Sequence, residues 1–294
     1  MDTQSLEAFC AVAECNSFSE AATKLFLTQP AVSKRVANLE SQLNCRLFDR
    51  IGKRVQLTQA GLLLQPKAQH ILQALADSKR LLAELGNQVS GKLYLATSHH
   101  IGLHRLPPLL KSFSQRYPEV ELVLQFLDSE RAYQEVLQGK HDLAIVTLEP
   151  VDHQQVARDI WWTDDLLFVC AKDHALAQLN SLSLDQLSDV PAILPSPNTH
   201  TTQVIQRLFD DAGARLNVSM TTQSLDTIKM MTSIGLGWSL LPKTLMSKEL
   251  MQLAPKVDGT PLQINRQLGC IHHPQRSLSN AALAFIKLCK TQIA

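Results

Sequence analysis

Apolar positions in the first sixty residues recur at steps of three and four. Leu6, Phe9, Cys10 and Ala13 form one helical stripe in a stretch that starts near Asp2 or Thr3. Asn16 tolerates the left-handed backbone on which helices often end, so the stripe stops there. Ser19 is placed to cap a second short helix running to Leu25, and Thr28 a third. Pro30 falls in the first turn of that third helix, where a missing N–H costs little. The third helix buries Val32, Val36, Leu39 and Leu43. Two short helices joined by Phe26-Leu27-Thr28 make a helix-turn-helix.

From Thr58 a longer pattern takes over. Leu64, Ala68, Ile71, Leu75, Ser78, Leu82 and Leu85 alternate steps of four and three, the repeat of a coiled-coil seam. Thr58 would cap this helix, and Pro66, early in it, would bend rather than end it. An amphipathic helix packed on its own domain gives a similar stripe, but the strict repeat favours a partner helix. The polar run from Asn87 to Ser90 suits a hinge.

Beyond Gly91 strands and helices alternate. Lys92 to Ala96 reads as a strand, Leu103 to Tyr117 as a helix, Glu121 to Leu127 as a strand, Arg131 to Gln138 as a helix and Asp142 to Thr147 as a strand. That order predicts a parallel sheet with helical crossovers. A second block opens with the strand Leu166 to Cys170 and runs to about Gln263. The tail from Leu268 has strand and then helix character and returns to the first block. The pattern predicts two α/β subdomains joined by crossing strands, with a cleft between them. The expected fold is therefore α/β overall: an all-α winged helix-turn-helix over 1–58, a linker helix over 59–88, and a two-subdomain α/β domain of periplasmic-binding-protein type over 91–294. Its first subdomain takes about 91–160 and 268–294, and its second about 161–267.

Charge changes this picture in one place. The whole chain is nearly neutral, at +1, but seven basic residues lie between Lys24 and Arg54 against Glu40 and Asp49. A basic patch on a neutral chain is the footprint of a phosphate-binding module. The third helix leaves Gln29, Ser33, Lys34, Arg35 and Asn38 off its buried stripe, the donors needed for base edges and phosphates. Alone, such a face could be ordinary solvated surface. Here Leu47 to Arg50, a turn at Ile51-Gly52-Lys53, and Arg54 to Leu57 follow as a short basic hairpin. A helix-turn-helix with a basic hairpin is a winged helix, and duplex DNA is the expected partner.

The run FSEAATKLFLTQPAVSKRVANLESQLNCRLFDR, continued by VQLTQAG, resembles the N-terminal signature of LysR-type transcriptional regulators without a gap from Phe18 to Gly61. Length and the layout of the remainder also fit. The chain has Asn16 and Asn44 where the family usually has Gly; Asn is the next best residue for a positive φ. The resemblance implies a regulator whose long helix forms dimers and whose dimers pair into a homotetramer, with an interrupted inverted repeat as its DNA target and RNA polymerase as a further candidate partner. The DNA contacts expected are Gln29, Pro30, Ser33 and Lys34 in the major groove, Arg35 near the backbone, and Arg50, Lys53 and Arg54 on phosphates or in the minor groove.

Ligands of open α/β sheets bind beyond the carboxyl ends of the strands, against helix N-termini. Here those ends are Ser98-His99-His100, Asp128 and Thr147. In the second subdomain the loop carrying Thr199 and Thr202 joins a strand to a helix, and Ser224 opens another helix. Ser98, Thr147 and Thr202 match positions that often touch effectors in the family, although each could equally be a helix cap. A small-molecule effector is expected at these residues. An anion is favoured by the helix N-termini and histidines, with Asp128 opposing it. His100 and His104 stand four apart, but no third ligand is near in sequence, so no metal or other cofactor is expected.

Other classes have less support. No G-x-S-x-G, P-loop, H-E-x-x-H or G-x-G-x-x-G run is present, so an enzyme is not expected. A stand-alone small-molecule-binding protein would have no use for a winged helix. A redox-responsive regulator needs a close thiol pair, and none lies between Cys170 and Cys270. The six cysteines read as small buried apolar residues of a reducing compartment. The first fifteen residues carry no basic residue, and no run approaches the length of a membrane span. A cytoplasmic protein without a membrane partner is expected.

Overall fold

The Asp2 carboxylate accepts from the Ser5 amide at 2.8 Å and caps α1 (Thr3–Cys15), which ends on Asn16 at φ 51°. Ser17, not Ser19, caps α2 (Phe18–Lys24). The helix starts earlier than the sequence suggested because Phe18 is itself helical, and its ring packs edge-on against Phe48 at 5.8 Å. Thr28 caps α3 (Gln29–Leu43), with Pro30 in the first turn and Asn44 at φ 50° after the last. Strands β1 (Phe48–Ile51) and β2 (Arg54–Leu57) pair antiparallel, and α4 (Gln59–Ala83) follows from the cap Thr58. The computed structural model describes residues 1–51, 54–83, 89–149, 155–179, 181–257 and 259–293.

Contacts divide the chain into two units. The first is Met1–Gln88 with the short returns Gln138–Lys140 and Gln275–Ser279. Its core joins Leu6, Phe9 and Val12 of α1 to Val32, Val36 and Leu39 of α3, the hairpin's Phe48, and Ala68 of α4. Fully burying side chains of this size stabilises by about 1.5–3 kcal/mol each. Farther along α4, Asp77 is buried and takes a two-pronged ion pair from Arg276, at 2.6 and 2.8 Å. Arg276 also donates to the Gly139 carbonyl, and Gly139 lies under the Gln73 side chain at φ 73°, where a Cβ would collide. The rest of the seam is exposed: Ile71 39%, Leu75 38%, Leu82 68%. Leu85 and the proposed hinge residues Asn87 and Gln88 lie outside the described residues.

The second unit opens with β3 (Gly91–Thr97) and α5 (His99–His104). Pro107 and Pro108 cannot extend a helix, so the single helix expected from Leu103 is replaced by α5 and a separate α6 (Pro107–Arg116). Then come β4 (Val120–Phe126), α7 (Ser129–Leu137) and β5 (Leu143–Thr147). β3 pairs parallel with both β4 and β5. The strand expected at Leu166 is the second half of β6 (Ala157–Ala171), a fifteen-residue strand that continues through Asp164 and Asp165. After it come β7 (Leu182–Ser183), α8 (Leu184–Ser188), β8 (Ala192–Leu194), α9 (His200–Asp211), β9 (Val218–Thr221) and α10 (Leu225–Ser233). β10 (Ser239–Pro242), β11 (Leu250–Leu253), β12 (Pro255–Val257), β13 (Thr260–Pro261), β14 (Ile264–His272) and α11 (Asn280–Ile293) complete the chain.

One sheet runs β10-β6-β14-β5-β3-β4, with β11 also on β6. The long antiparallel pair β6 and β14 therefore links a wall built on β3, β4 and β5 to a wall that carries α9 and α10. Their register shifts between Leu268 and Gly269. The second wall packs around Trp238, which stacks on Phe209 and donates its indole N–H to the Leu187 and Val190 carbonyls. No helix among the described residues is long and apolar enough to cross a membrane.

Candidate ligand cleft and nucleic-acid interface

In the first unit α3 buries Val32, Val36 and Leu39 and turns its other faces outward. Gln29, Pro30 and Lys34 are exposed, and Ser33 and Arg35 are half-buried. Glu40 fixes the hairpin against this helix, its Oε1 accepting from the amides of Leu47 at 2.6 Å and Phe48 at 3.2 Å. Arg50 lies on β1 and Arg54 on β2, paired with Val55 and Ile51. Lys53 lies outside the described residues. Phe26, in the turn before α3, sits at φ 55° and is almost fully exposed.

In the second unit a cavity of about 70 Å³ lies between the two walls. Ser98, His99 and His100 line it after β3, Asp128 after β4 and Thr147 at the end of β5, and Thr199 lines it from the start of α9. Six of the eight residues singled out from the sequence thus meet at one place. Ser98 stands at the cap position of α5 but makes no side-chain capping bond there. Thr147 is held by its amide, which donates to Ser129 Oγ at 3.1 Å.

Thr202 and Ser224, expected at the same place, do not line the cavity. The Thr202 hydroxyl is buried and donates to the Pro195 carbonyl at 2.9 Å, closing the loop before α9. Ser224 Oγ accepts from the Thr227 amide and caps α10. Their chain neighbours Thr201, Gln223 and Leu225 line the cavity in their place.

Sequence reading missed Ser129, Glu130, His200 and Arg266 on the lining. Glu130 Oε1 accepts from the His200 amide at 3.1 Å, so the first wall's carboxylate sits on the amino end of α9. Arg266 on β14 is 8% exposed and is the cross-strand partner of Asp164 on β6. Asp164 takes Arg105 at 2.8 Å and Arg266 at 3.1 Å, with His100 Nε2 at 3.4 Å. Burial raises the Asp164 carboxyl, but the nearby His100 imidazole, the Arg266 charge and the hydrogen bonds from Arg105 and Arg266 outweigh it and hold the carboxyl well below its usual range. Burial lowers His100 despite Asp164, and burial followed by the Arg266 charge lowers His200, so both imidazoles are neutral near pH 7. The cleft's cationic group is therefore Arg266 rather than a histidine, set against Asp128 and Glu130 on the same lining. No group of three or more His, Cys, Asp or Glu that could hold a metal occurs among the described residues.

The model of the LysR substrate binding domain matches residues 86–294, and that of the bacterial regulatory helix-turn-helix protein, lysR family, matches residues 3–62. The "Probable RuBisCO transcriptional regulator" of Synechocystis is 32% identical over 286 residues, covering 94% of this chain and 82% of that protein. An Azotobacter vinelandii HTH-type regulator from an ibpB-leuC intergenic region is 64% identical over 108 residues, 37% of this chain and 75% of that protein. The crystal structure of full-length CbnR with its target DNA aligns over 100% of both chains, with a TM-score of 0.64 at 20% identity.

Proposed function

The chain belongs to the LysR family of DNA-binding transcription regulators, and from this we propose that a small molecule bound in the cleft of its substrate-binding domain controls how it acts at an operator. The observation that supports this most is the convergence on one cavity of Ser98, Asp128 and Thr147 from the ends of three strands and of Thr199 from the start of α9. Two walls joined by a strand pair can take more than one arrangement, and a ligand acts by binding one arrangement better than another. The hydroxyl side chains on the lining, a buried guanidinium and the start of α9 suit a small polar effector, with an anion favoured.

In this reading Gln29, Pro30, Ser33 and Lys34 enter the major groove, Arg35 approaches the backbone, and Arg50, Lys53 and Arg54 serve phosphates or the minor groove. Two chains pair along α4 and two dimers pair through the other unit, giving a homotetramer on an interrupted inverted repeat in the cytoplasm. RNA polymerase is the partner through which transcription changes. The CbnR–DNA structure supports the DNA-binding part of this reading. Footprinting with a metabolite panel tests it. Gln29→Ala with Ser33→Ala should shift sequence preference by ~1–3 kcal/mol, while Lys53→Ala should weaken all sequences alike and lower the salt slope by about one. Unchanged operator binding in the double variant rejects the assignment.

A further inference from the structure

We propose, resting on the reading of α3 as the helix that enters the major groove, that Phe26 is a DNA-contacting residue. Its ring packs on the apolar groups of the groove wall, the deoxyribose C–H groups and the thymine methyl. The first observation is backbone conformation. α2 closes with the Leu27 amide donating to the Ala22 carbonyl at 2.9 Å and the Phe26 amide to the Thr23 carbonyl at 3.2 Å. That pair of bonds puts Phe26 at the left-handed residue after the helix, at φ 55°. Glycine or asparagine takes this conformation at little cost, and the other non-glycine residues of positive φ among the described ones are Asn16 and Asn44. A phenylalanine there is strained, and strain of this kind is kept where function requires the residue.

The second observation is the side chain. The ring adds no packing to the fold: it is 95% exposed, while Leu25 and Leu27 on either side pack against the core of the unit. Keeping a phenyl ring in water is unfavourable, and an apolar partner outside the chain offsets that. The third observation is the neighbourhood. Thr28, Gln29 and Pro30 are exposed beside the ring, and Thr28 caps α3. Phe26 is three residues from Gln29, a span of at most ~10 Å of chain, so the ring reaches the wall of a groove that Gln29 enters.

The surroundings decide between DNA and a protein partner. Between Met1 and Leu43 no other large apolar side chain is exposed among the described residues. A protein interface needs an apolar patch around such a ring. A single ring among polar side chains, with Lys34 exposed on the helix that follows, suits a polyanion whose apolar groups are scattered sugars and methyls.

Anisotropy titration of the full-length protein against the duplex that it protects in footprinting, across a salt series, tests this. Phe26→Gly and Phe26→Asn both suit the backbone, so their thermal midpoints should equal or exceed that of the wild type. Both should bind the duplex about tenfold more weakly, while Phe26→Tyr, which keeps the ring, should bind within about threefold of the wild type. The slope of log affinity against log salt should not change, because a phenyl ring neutralises no phosphate. The same duplex with deoxyuridine in place of thymidine separates the two contacts: the gap between wild type and Phe26→Gly narrows if the ring meets a methyl and persists if it meets sugar. Affinity within about twofold of the wild type in both the Gly and Asn variants overturns the proposal. A lowered thermal midpoint in both variants also overturns it, since the ring then serves the fold. So does a lower oligomeric mass with unchanged DNA affinity, since the ring then serves a protein contact. The placement of α3 is tested apart, by Gln29→Ala with Ser33→Ala. A shifted sequence preference there, beside normal binding by the Phe26 variants, rejects this inference and keeps that reading.

Discussion

Asp164 and Arg266 face each other across β6 and β14, with Asp164 Oδ2 3.1 Å from Arg266 Nη2. Both are buried, and Arg105 and His100 share the same carboxylate. Removing one member of such a set leaves the other charge buried and unpaired. Asp164→Ala should therefore cost about 3–5 kcal/mol in urea unfolding. The pH dependence follows from the sign of the shift. The folded carboxyl lies below its unfolded value of about 3.9, so its contribution is complete above about pH 5 and is lost as pH falls through the folded value. The stability gap between wild type and Asp164→Asn should be equal at pH 7 and pH 5 and smaller at pH 3. A gap that widens in acid contradicts this.

Ile71, Leu75 and Leu82 repeat along one stripe of α4 and are left open to solvent within a single chain. Leu75→Asp puts a charge in the proposed seam, and the mutation forfeits at least the ~1.5–3 kcal/mol of burying a leucine on each chain. Light scattering at micromolar concentration should show a lower oligomeric mass than wild type. An unchanged mass would place the pairing surface elsewhere.

Cysteine chemistry should be confined to the surface. Burial pushes the thiols of Cys10 and Cys170 up to about 11, that of Cys289 to about 12 and that of Cys270 well above its usual value. The thiolate is the reactive form. Iodoacetamide at pH 7.5 should label exposed Cys45 first, and Cys170, Cys270 and Cys289 only with unfolding. Rapid native-state labelling of Cys270, or operator binding that peroxide changes, would favour the redox-responsive alternative.

The parts of the molecule that were legible in the sequence are those that local spacing determines. The stripe of α1 and the Val32, Val36 and Leu39 positions of α3 follow from step sizes, whereas Leu43, expected on the same stripe, is exposed at the helix end; the Asn16 and Asn44 turns follow from residue type. Ser98 and Thr147 were legible because strand ends are where open sheets bind ligands. That the Thr202 hydroxyl faces Pro195 while Thr201 lines the cavity was not legible, because helix direction, not residue type, decides where each hydroxyl of a first turn points. Arg266 and Glu130 were missed because their partners are far away in sequence: Asp164 lies 102 residues from Arg266, and the His200 amide 70 residues from Glu130. A signal for the first pair existed. Asp164 shares the strand face of Leu166 and Phe168, and Arg266 that of Leu268 and Cys270, so each is a charge in a buried row.

In the proposed function the cleft, and not the DNA-binding unit, receives the signal. The direct test is transcription from the operator in a reconstituted system, with the effector found by the footprinting panel. Ser98→Ala combined with Thr147→Val should keep wild-type operator affinity and lose the effector response. A response that survives intact in the double variant would contradict it.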